Sequence, residues 1–324
     1  MKDFATSSRG DIVKQHTIKT DEMSVTLLSW GAAIYDLRLS DVDYPLTLSG
    51  ETIEGYEGEL LHYGTLIGPV ANRIYPARVS LDGMSHELER NQDQRICLHS
   101  GAKATHRRNW QFAEATETSA TLTLKLGDGE CGFPGNRTIS AKFEILPNAT
   151  LRLKITGTTD AKTVMNFANH SYWNLDGAET YEGHQLQIDA DHYLPCDDDA
   201  LATGEIRAVE GGPMDFRHLR NAIPGQPAFD HNFCLSDTIR SLRPVLTLRG
   251  QSGVQMVMAT NQPGLQVYDA RAPHRPGKQP YEGLAFEAQG WPNAPHNPDF
   301  PSIEVTPEAP YEQVTEWRFS KPET

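Results

Sequence analysis

The sequence predicts an all-β protein, a large antiparallel β-sandwich. Apolar and polar residues alternate with period two over many short stretches, and Gly and Pro punctuate the gaps between them. Long helical periodicity is nearly absent.

The clearest alternation lies mid-chain. Leu122, Leu124 and Leu126 alternate with Thr121, Thr123 and Lys125; Ile139, Ala141, Phe143 and Ile145 alternate with Ser140, Lys142 and Glu144. Leu151, Leu153 and Ile155 alternate with Arg152, Lys154 and Thr156 after a Pro147-Asn148 turn signal. One apolar face each makes these an antiparallel meander over a core. Further strands are expected at 25–28, 32–39, 185–190, 245–248, 254–259 and 265–268, and a short helical turn at 197–202. Neither linker nor low-complexity tract interrupts the chain, so a single domain over residues 1–324 is expected.

Composition excludes several function classes. There are 43 acids against 29 bases, a net charge of −14, and no compact Lys/Arg tract, which argues against nucleic acid or an anionic membrane as partner. No run of about eighteen apolar residues is present to span a bilayer. The first residues lack the apolar core of a signal peptide, and the four cysteines are scattered without a Cys-x-x-Cys pair. Reduced thiols in a cytoplasmic protein are the expectation. Nucleotide-binding glycine loops, a zinc-protease His-Glu-x-x-His and a Gly-x-Ser-x-Gly elbow are all missing.

The chemistry concentrates in a few clusters. Residues 166–177 combine Asn166, Asn169, Asn174 and His170 with Phe167, Tyr172 and Trp173. Aromatic faces beside amides and an imidazole suit a sugar ring, with its apolar C–H faces and many hydroxyls. A loop whose Asn side chains satisfy backbone groups explains the same residues. Asn72-Arg73 and His99 are weak signals singly. Glu287 and Gln289 share one face of a strand, opposite Phe286 and Ala288; Gln266 and Tyr268 share another. Asp230 lies between Phe229 and Phe233. With unperturbed pKa values of roughly 4.3 and 6.5, Glu287 and His170 are a natural base and acid.

The order of these pieces resembles the aldose 1-epimerases, or galactose mutarotases. It runs through Gly68-Pro69-Val70-Ala71-Asn72-Arg73-Ile74, Leu98-His99-Ser100-Gly101, Asp128-Gly129-Glu130-Cys131-Gly132-Phe133-Pro134, Asn169-His170-Ser171-Tyr172-Trp173-Asn174, Phe229-Asp230-His231-Asn232-Phe233, Gln266-Val267-Tyr268 and Phe286-Glu287-Ala288-Gln289. Each piece is weak alone; the collinear set is specific and spans about residues 30–319.

The resemblance implies a galactose mutarotase-like supersandwich. It also implies a metal-free, cofactor-free enzyme that interconverts the α and β anomers of a free monosaccharide such as galactose or glucose. Carried over, Glu287 is the base that takes the C1 hydroxyl proton, His170 the acid at the ring oxygen, and His99 a second histidine polarising that region. Arg73, Asn72, Asp230 and Gln266 are implied as hydroxyl ligands, and Trp173 as the aromatic against the sugar. Acid and base are expected on opposite sides of the acetal carbon. Pro69 stands where Arg is common, Ser100 where Gly is common, and Asp269 where Thr is frequent; Asp269 is expected to add negative charge near the pocket. A sugar-phosphate epimerase and a non-catalytic carbohydrate-binding protein are the alternatives. Monomer and homodimer stay open.

Overall fold

The computed structural model describes residues 1–272 and 275–321. A nine-stranded antiparallel sheet forms one layer. Its order is Gln111–Ala115, Ser119–Leu126, Arg137–Leu146, Thr150–Thr159, Tyr311–Ser320, Gln255–Thr260, Arg243–Arg249, Gln185–Ile188, Arg220–Asn221. The expected meander is its first half, with Leu122 opposite Ala141 and Ala141 opposite Ile155. A second, six-stranded antiparallel sheet runs Tyr172–Trp173, Leu284–Gln289, Gly264–Tyr268, Asp230–Cys234, His192–Leu194, Arg207–Ala208. The first 39 residues add a four-stranded sheet, Lys2–Thr6, Ile12–Lys19, Met23–Leu28 and Ala33–Leu39.

The three sheets meet in one apolar cluster. Leu122, Phe143 and Leu153 from the large sheet, Trp173, Phe233, Leu265 and Phe286 from the six-stranded sheet, and Val25 and Leu27 from the N-terminal sheet all belong to it. Each fully buried side chain of this size contributes roughly 1.5–3 kcal/mol, so every strand is held by its apolar face rather than by pairing alone.

Residues 197–202 form no helix. The Asp197 Oδ1 accepts the Asp199 and Leu201 N–H groups, each at 3.0 Å, and Ala200 takes φ +58°. An aspartate that satisfies its own loop competes with helical bonding. The one α-helix among the described residues, Ile53–Glu57, lies where no helix was expected. It begins on the Thr52 hydroxyl, which accepts from Gly55 N–H at 3.4 Å.

The alternation of the six-stranded sheet positions the functional groups. Directly paired residues of an antiparallel sheet point to the same face. Tyr172 pairs with Ala285, Ala285 with Tyr268, and Tyr268 with Asp230; in the adjacent row Glu287 pairs with Gln266 and Gln266 with Asn232. That face is polar and aromatic. The opposite face carries Trp173, Leu284, Phe286, Val267 and Phe233, and it closes the core.

Candidate active site

Above the polar face lies a cavity of about 230 Å³ lined by His62, Asn72, Arg73, Leu98, His99, His170, Tyr172, Asp230, Tyr268 and Glu287. It is smaller than the roughly 300–1,000 Å³ typical of drug-sized ligands, a size for one small molecule. Two roomier depressions, about 610 and 620 Å³, lie along the Asp21–Lys321 edge and beside Gln251; neither is lined by a histidine.

Glu287 sits in the second strand of its sheet, 2% exposed. Its Oε1 lies 3.3 Å from His170 Nε2. Its Oε2 is buried without a hydrogen-bond partner among the described residues, an orphan that a ligand hydroxyl would satisfy. Burial, and then the nearby Asp230 carboxylate, push the Glu287 carboxyl up to about 8, while Arg73 works the other way. At neutral pH Glu287 therefore rests largely protonated, within proton-exchange reach of His170 Nε2. The two groups stand side by side, not on opposite sides of a gap.

His170 reaches the site through the pairing of Ala168–Asn169 with Leu66–Ile67. His99 comes from a turn. After the pairing of Arg73–Ile74 with Cys97–Leu98, His99 and Ser100 both take left-handed backbone angles, φ +51° and +62°. Such angles cost a non-glycine residue roughly 1–3 kcal/mol and need local compensation. The Ser100 hydroxyl supplies it: Oγ accepts from Val70 N–H at 2.8 Å and donates to Val70 O at 2.9 Å. The serine is thus more than a small stand-in for glycine.

Asn72 N–H donates to His99 Nδ1 at 3.0 Å, and His99 N–H donates to Asn72 O at 2.9 Å. With Nδ1 accepting, the neutral ring carries its proton on Nε2. Burial, then His170, His106 and Arg73, hold its pKa well below the usual histidine range, so His99 presents a fixed N–H donor. This bears on metal binding. His62, His99 and His170 each offer an atom within 4.8 Å of the others. A ligating Nε2 needs the proton on Nδ1, and that position is opposed by the Asn72 N–H. His99 is thus set to donate rather than to coordinate.

Arg73 Nη2 lies 3.6 Å from Asp230 Oδ2, and its Nε donates to Gln92 Oε1 at 3.2 Å. Gln266 Nε2 donates to Asp230 Oδ1 at 2.7 Å. Gln266 is thus beneath the cavity, holding Asp230, and does not line the cavity itself.

Two expectations are corrected. Trp173 points away from the cavity: it is 0% exposed and packs on Trp317 and Phe319 at 5.9 and 5.7 Å between ring centroids. From His170 the alternation runs to Tyr172, so the aromatic walls are Tyr172 and Tyr268. Asp269 likewise turns away, opposite to Tyr268. Its Oδ1 accepts from Arg271 Nε at 2.9 Å and its Oδ2 from Phe229 N–H at 3.1 Å, so its charge is buried and paired. His62 was missed; its ring joins those of His99, His106 and His170. No sequence spacing links these four residues.

The chain as a whole has counterparts among known proteins. A family model described as aldose 1-epimerase matches residues 14–318. The chain is 30% identical to galactose mutarotase of Rattus norvegicus, over 97% of this chain and 96% of that one. The chain belongs to the aldose 1-epimerase family. The aldose 1-epimerase of Escherichia coli K12 is 29% identical, with 92% of both chains covered. The galactose 1-epimerase structure from Lactobacillus acidophilus NCFM superposes with a TM-score of 0.86 at 25% identity, covering 98% of each chain. An aldose epimerase homologue from C. elegans, 24% identical, shares the fold with a TM-score of 0.88, covering 96% of this chain and 100% of that one. As a member of the aldose 1-epimerase family, the chain has the large antiparallel sandwich that its period-two pattern and its motifs led us to expect.

Proposed function

We propose that the chain is a mutarotase that interconverts the α and β anomers of a free aldose such as galactose or glucose, with Glu287 as base and His170 as acid. The reaction class follows from the family: the chain is an isomerase acting at the anomeric carbon of an aldose. The observation that supports the division of labour is the 3.3 Å contact between the two buried groups, with the Glu287 carboxyl raised to about 8.

The chemistry balances on that pair. Transfer of the Glu287 proton across the 3.3 Å contact to His170 gives the reactive pair: ionised Glu287 removes the proton from the C1 hydroxyl while protonated His170 delivers one to the ring oxygen. The bond from C1 to the ring oxygen breaks, and the C1 carbonyl forms. The open aldehyde turns about C1–C2 and closes on its other face, with the ring hydroxyl's proton returning to His170 and the carbonyl oxygen protonated by Glu287. One proton is on the pair at the start, at the aldehyde and at the end. Each positioned transfer contributes roughly 100- to 10,000-fold. The His99 Nε2–H is suited to hold a sugar oxygen near C1. Arg73, Asn72 and Asp230 are suited to grip the remaining hydroxyls, and Tyr172 and Tyr268 to face the C–H surfaces.

A neutral sugar fits the charges better than a sugar phosphate. Arg73 is the one arginine or lysine among the lining residues, and it faces Asp230. Arg108 and Arg271 are occupied by Glu130 and Asp269. The decisive experiment is polarimetry on freshly dissolved α-galactose and α-glucose, with glucose 6-phosphate as comparison. A rate no greater than that of buffer on every aldose tried would overturn the reading in favour of a binding protein, which calorimetry would then detect.

A further inference from the structure

We propose that His62 is a positioning residue for the acid: its imidazole lies parallel on the ring of His170 and holds that ring in line with Glu287. The inference rests on the mutarotase reading above, and it adds a role to a residue no motif singled out.

The two rings are stacked, with centroids 5.2 Å apart and planes 18° from parallel. Tyr172 supports the same imidazole from another direction, at 5.0 Å and 39°. The contacts of His62 with His99 and His106, by contrast, are steeply tilted, at 66° and 56°. The parallel contact is therefore specific to the acid.

The backbone enforces this stack. Gly64 N–H donates to His170 O at 3.1 Å, His170 N–H donates to Thr65 O at 3.0 Å, and Asn169 Nδ2 donates to Gly64 O at 2.8 Å. Gly64 and Thr65, two and three residues after His62, are thus locked in register with the acid. Gly64 makes the approach possible. It takes φ +69°, and a Cβ there would stand 2.1 Å from Ile34 O. Tyr63, next to His62, packs its ring on Tyr172 at 4.5 Å, which anchors the segment from the other side of the chain.

A stack and a chemical role are distinguishable. His62 lines the cavity, so its nitrogens could instead hold a sugar hydroxyl. Burial, followed by His99, His170 and His106, keeps its pKa well below the histidine norm, so it is a neutral ring at working pH. What a neutral ring laid flat on another supplies is orientation. Near-attack geometry is sensitive to such support, and an error of about 1 Å can cost roughly a hundredfold in rate.

The test compares His62→Ala and His62→Phe with the parent enzyme on galactose. Phenylalanine keeps the ring face and loses both nitrogens. The expected result is a fall in kcat of roughly three- to tenfold for His62→Ala, the range of an aromatic pair, with KM within a factor of two. His62→Phe is expected to restore kcat to near the parent. Equal losses in both variants, or a rise in KM at unchanged kcat, would overturn the proposal and make His62 a hydroxyl ligand. Unchanged kinetics in both variants would overturn it as well. Thermal melts of both variants separate a folding defect from a kinetic one. A second readout needs no turnover: the His170 ring-proton NMR shifts should move in His62→Ala and stay near the parent value in His62→Phe. If the parent itself fails to mutarotate, the functional reading falls, and the NMR shifts alone decide whether His62 positions His170.

Discussion

Glu287 Oε1 stands 3.3 Å from His170 Nε2, on a strand near the chain's end and on a short pairing from its middle. Neither element makes a site alone. The strand Leu284–Gln289 is fixed by its pairing with Gly264–Tyr268, and His170 by the backbone bond to Thr65. The two meet where Tyr172–Trp173, just after His170, pairs with Leu284 and Ala285 of the Glu287 strand.

The first prediction concerns that pair. Glu287→Gln and His170→Asn should each lower kcat by roughly 100- to 10,000-fold. Because the two act on one shared proton, the double variant should lose little more than the worse single one. Polarimetric rates on galactose measure this; multiplicative losses would mean independent roles.

Glu287 also ties stability to pH. Its folded pKa is raised from 4.5 to about 8, first by burial and then by Asp230. The folded chain therefore keeps a proton that the unfolded chain releases. The stabilisation is full below about pH 4.5 and is lost as pH rises through about 8. Glu287→Gln should abolish this term. Melting temperatures at pH 5.5 and 8.5 should fall more for the parent than for Glu287→Gln, and parallel falls would contradict the buried, protonated carboxyl.

Trp173 and Tyr172 should separate cleanly. Trp173→Ala removes a fully buried core ring and should cost about 3–5 kcal/mol of stability, with KM unchanged for the molecules that fold. Tyr172→Ala should instead reduce kcat and raise KM at a smaller cost in melting temperature. A KM effect from Trp173→Ala would return that ring to the sugar.

Gln266 should act through Asp230. Gln266→Leu removes the 2.7 Å donor to Asp230 Oδ1. A hydrogen bond to a charged group contributes about 1.5–3 kcal/mol, so KM should rise roughly tenfold or more, with kcat less affected. Asp230→Asn in the same background should add little further. Independent, additive effects of the two changes would contradict this.

The strands were largely legible. Expected strands at 245–248, 254–259 and 265–268 form as Arg243–Arg249, Gln255–Thr260 and Gly264–Tyr268, because alternation and its Gly/Pro borders are local signals. The borders moved by one or two residues, where pairing partners extend a strand. The helix Ile53–Glu57 and the Asp197 turn were not legible. Both depend on one or two side-chain bonds that no periodicity encodes.

The site was legible in its chemistry and less so in its geometry. Collinear motifs picked out Glu287, His170, His99, Asn72, Arg73 and Asp230, and the fold brings all six to one cavity. Trp173 was assigned to the sugar from the resemblance, but strand alternation from His170 brings Tyr172, two residues on, to the cavity and turns Trp173 into the core. Asp269 was misread because nearness in sequence to Tyr268 hides the change of face.

By itself, the sequence determined which residues could share a strand face, the all-β class, and the ordered set of groups able to exchange protons with a sugar. Those are properties of neighbours along the chain. The tertiary structure alone decided which face became core and which became cavity, since that depends on where the nine-stranded sheet lies. It also gathered His62, His99, His106 and His170 from three separate segments, bonded Asn72 N–H to His99 so that one tautomer prevails, and buried Glu287 deeply enough to hold a proton near neutral pH. Burial and electrostatic environment arise only when distant segments pack together, so no reading of adjacent residues contains them.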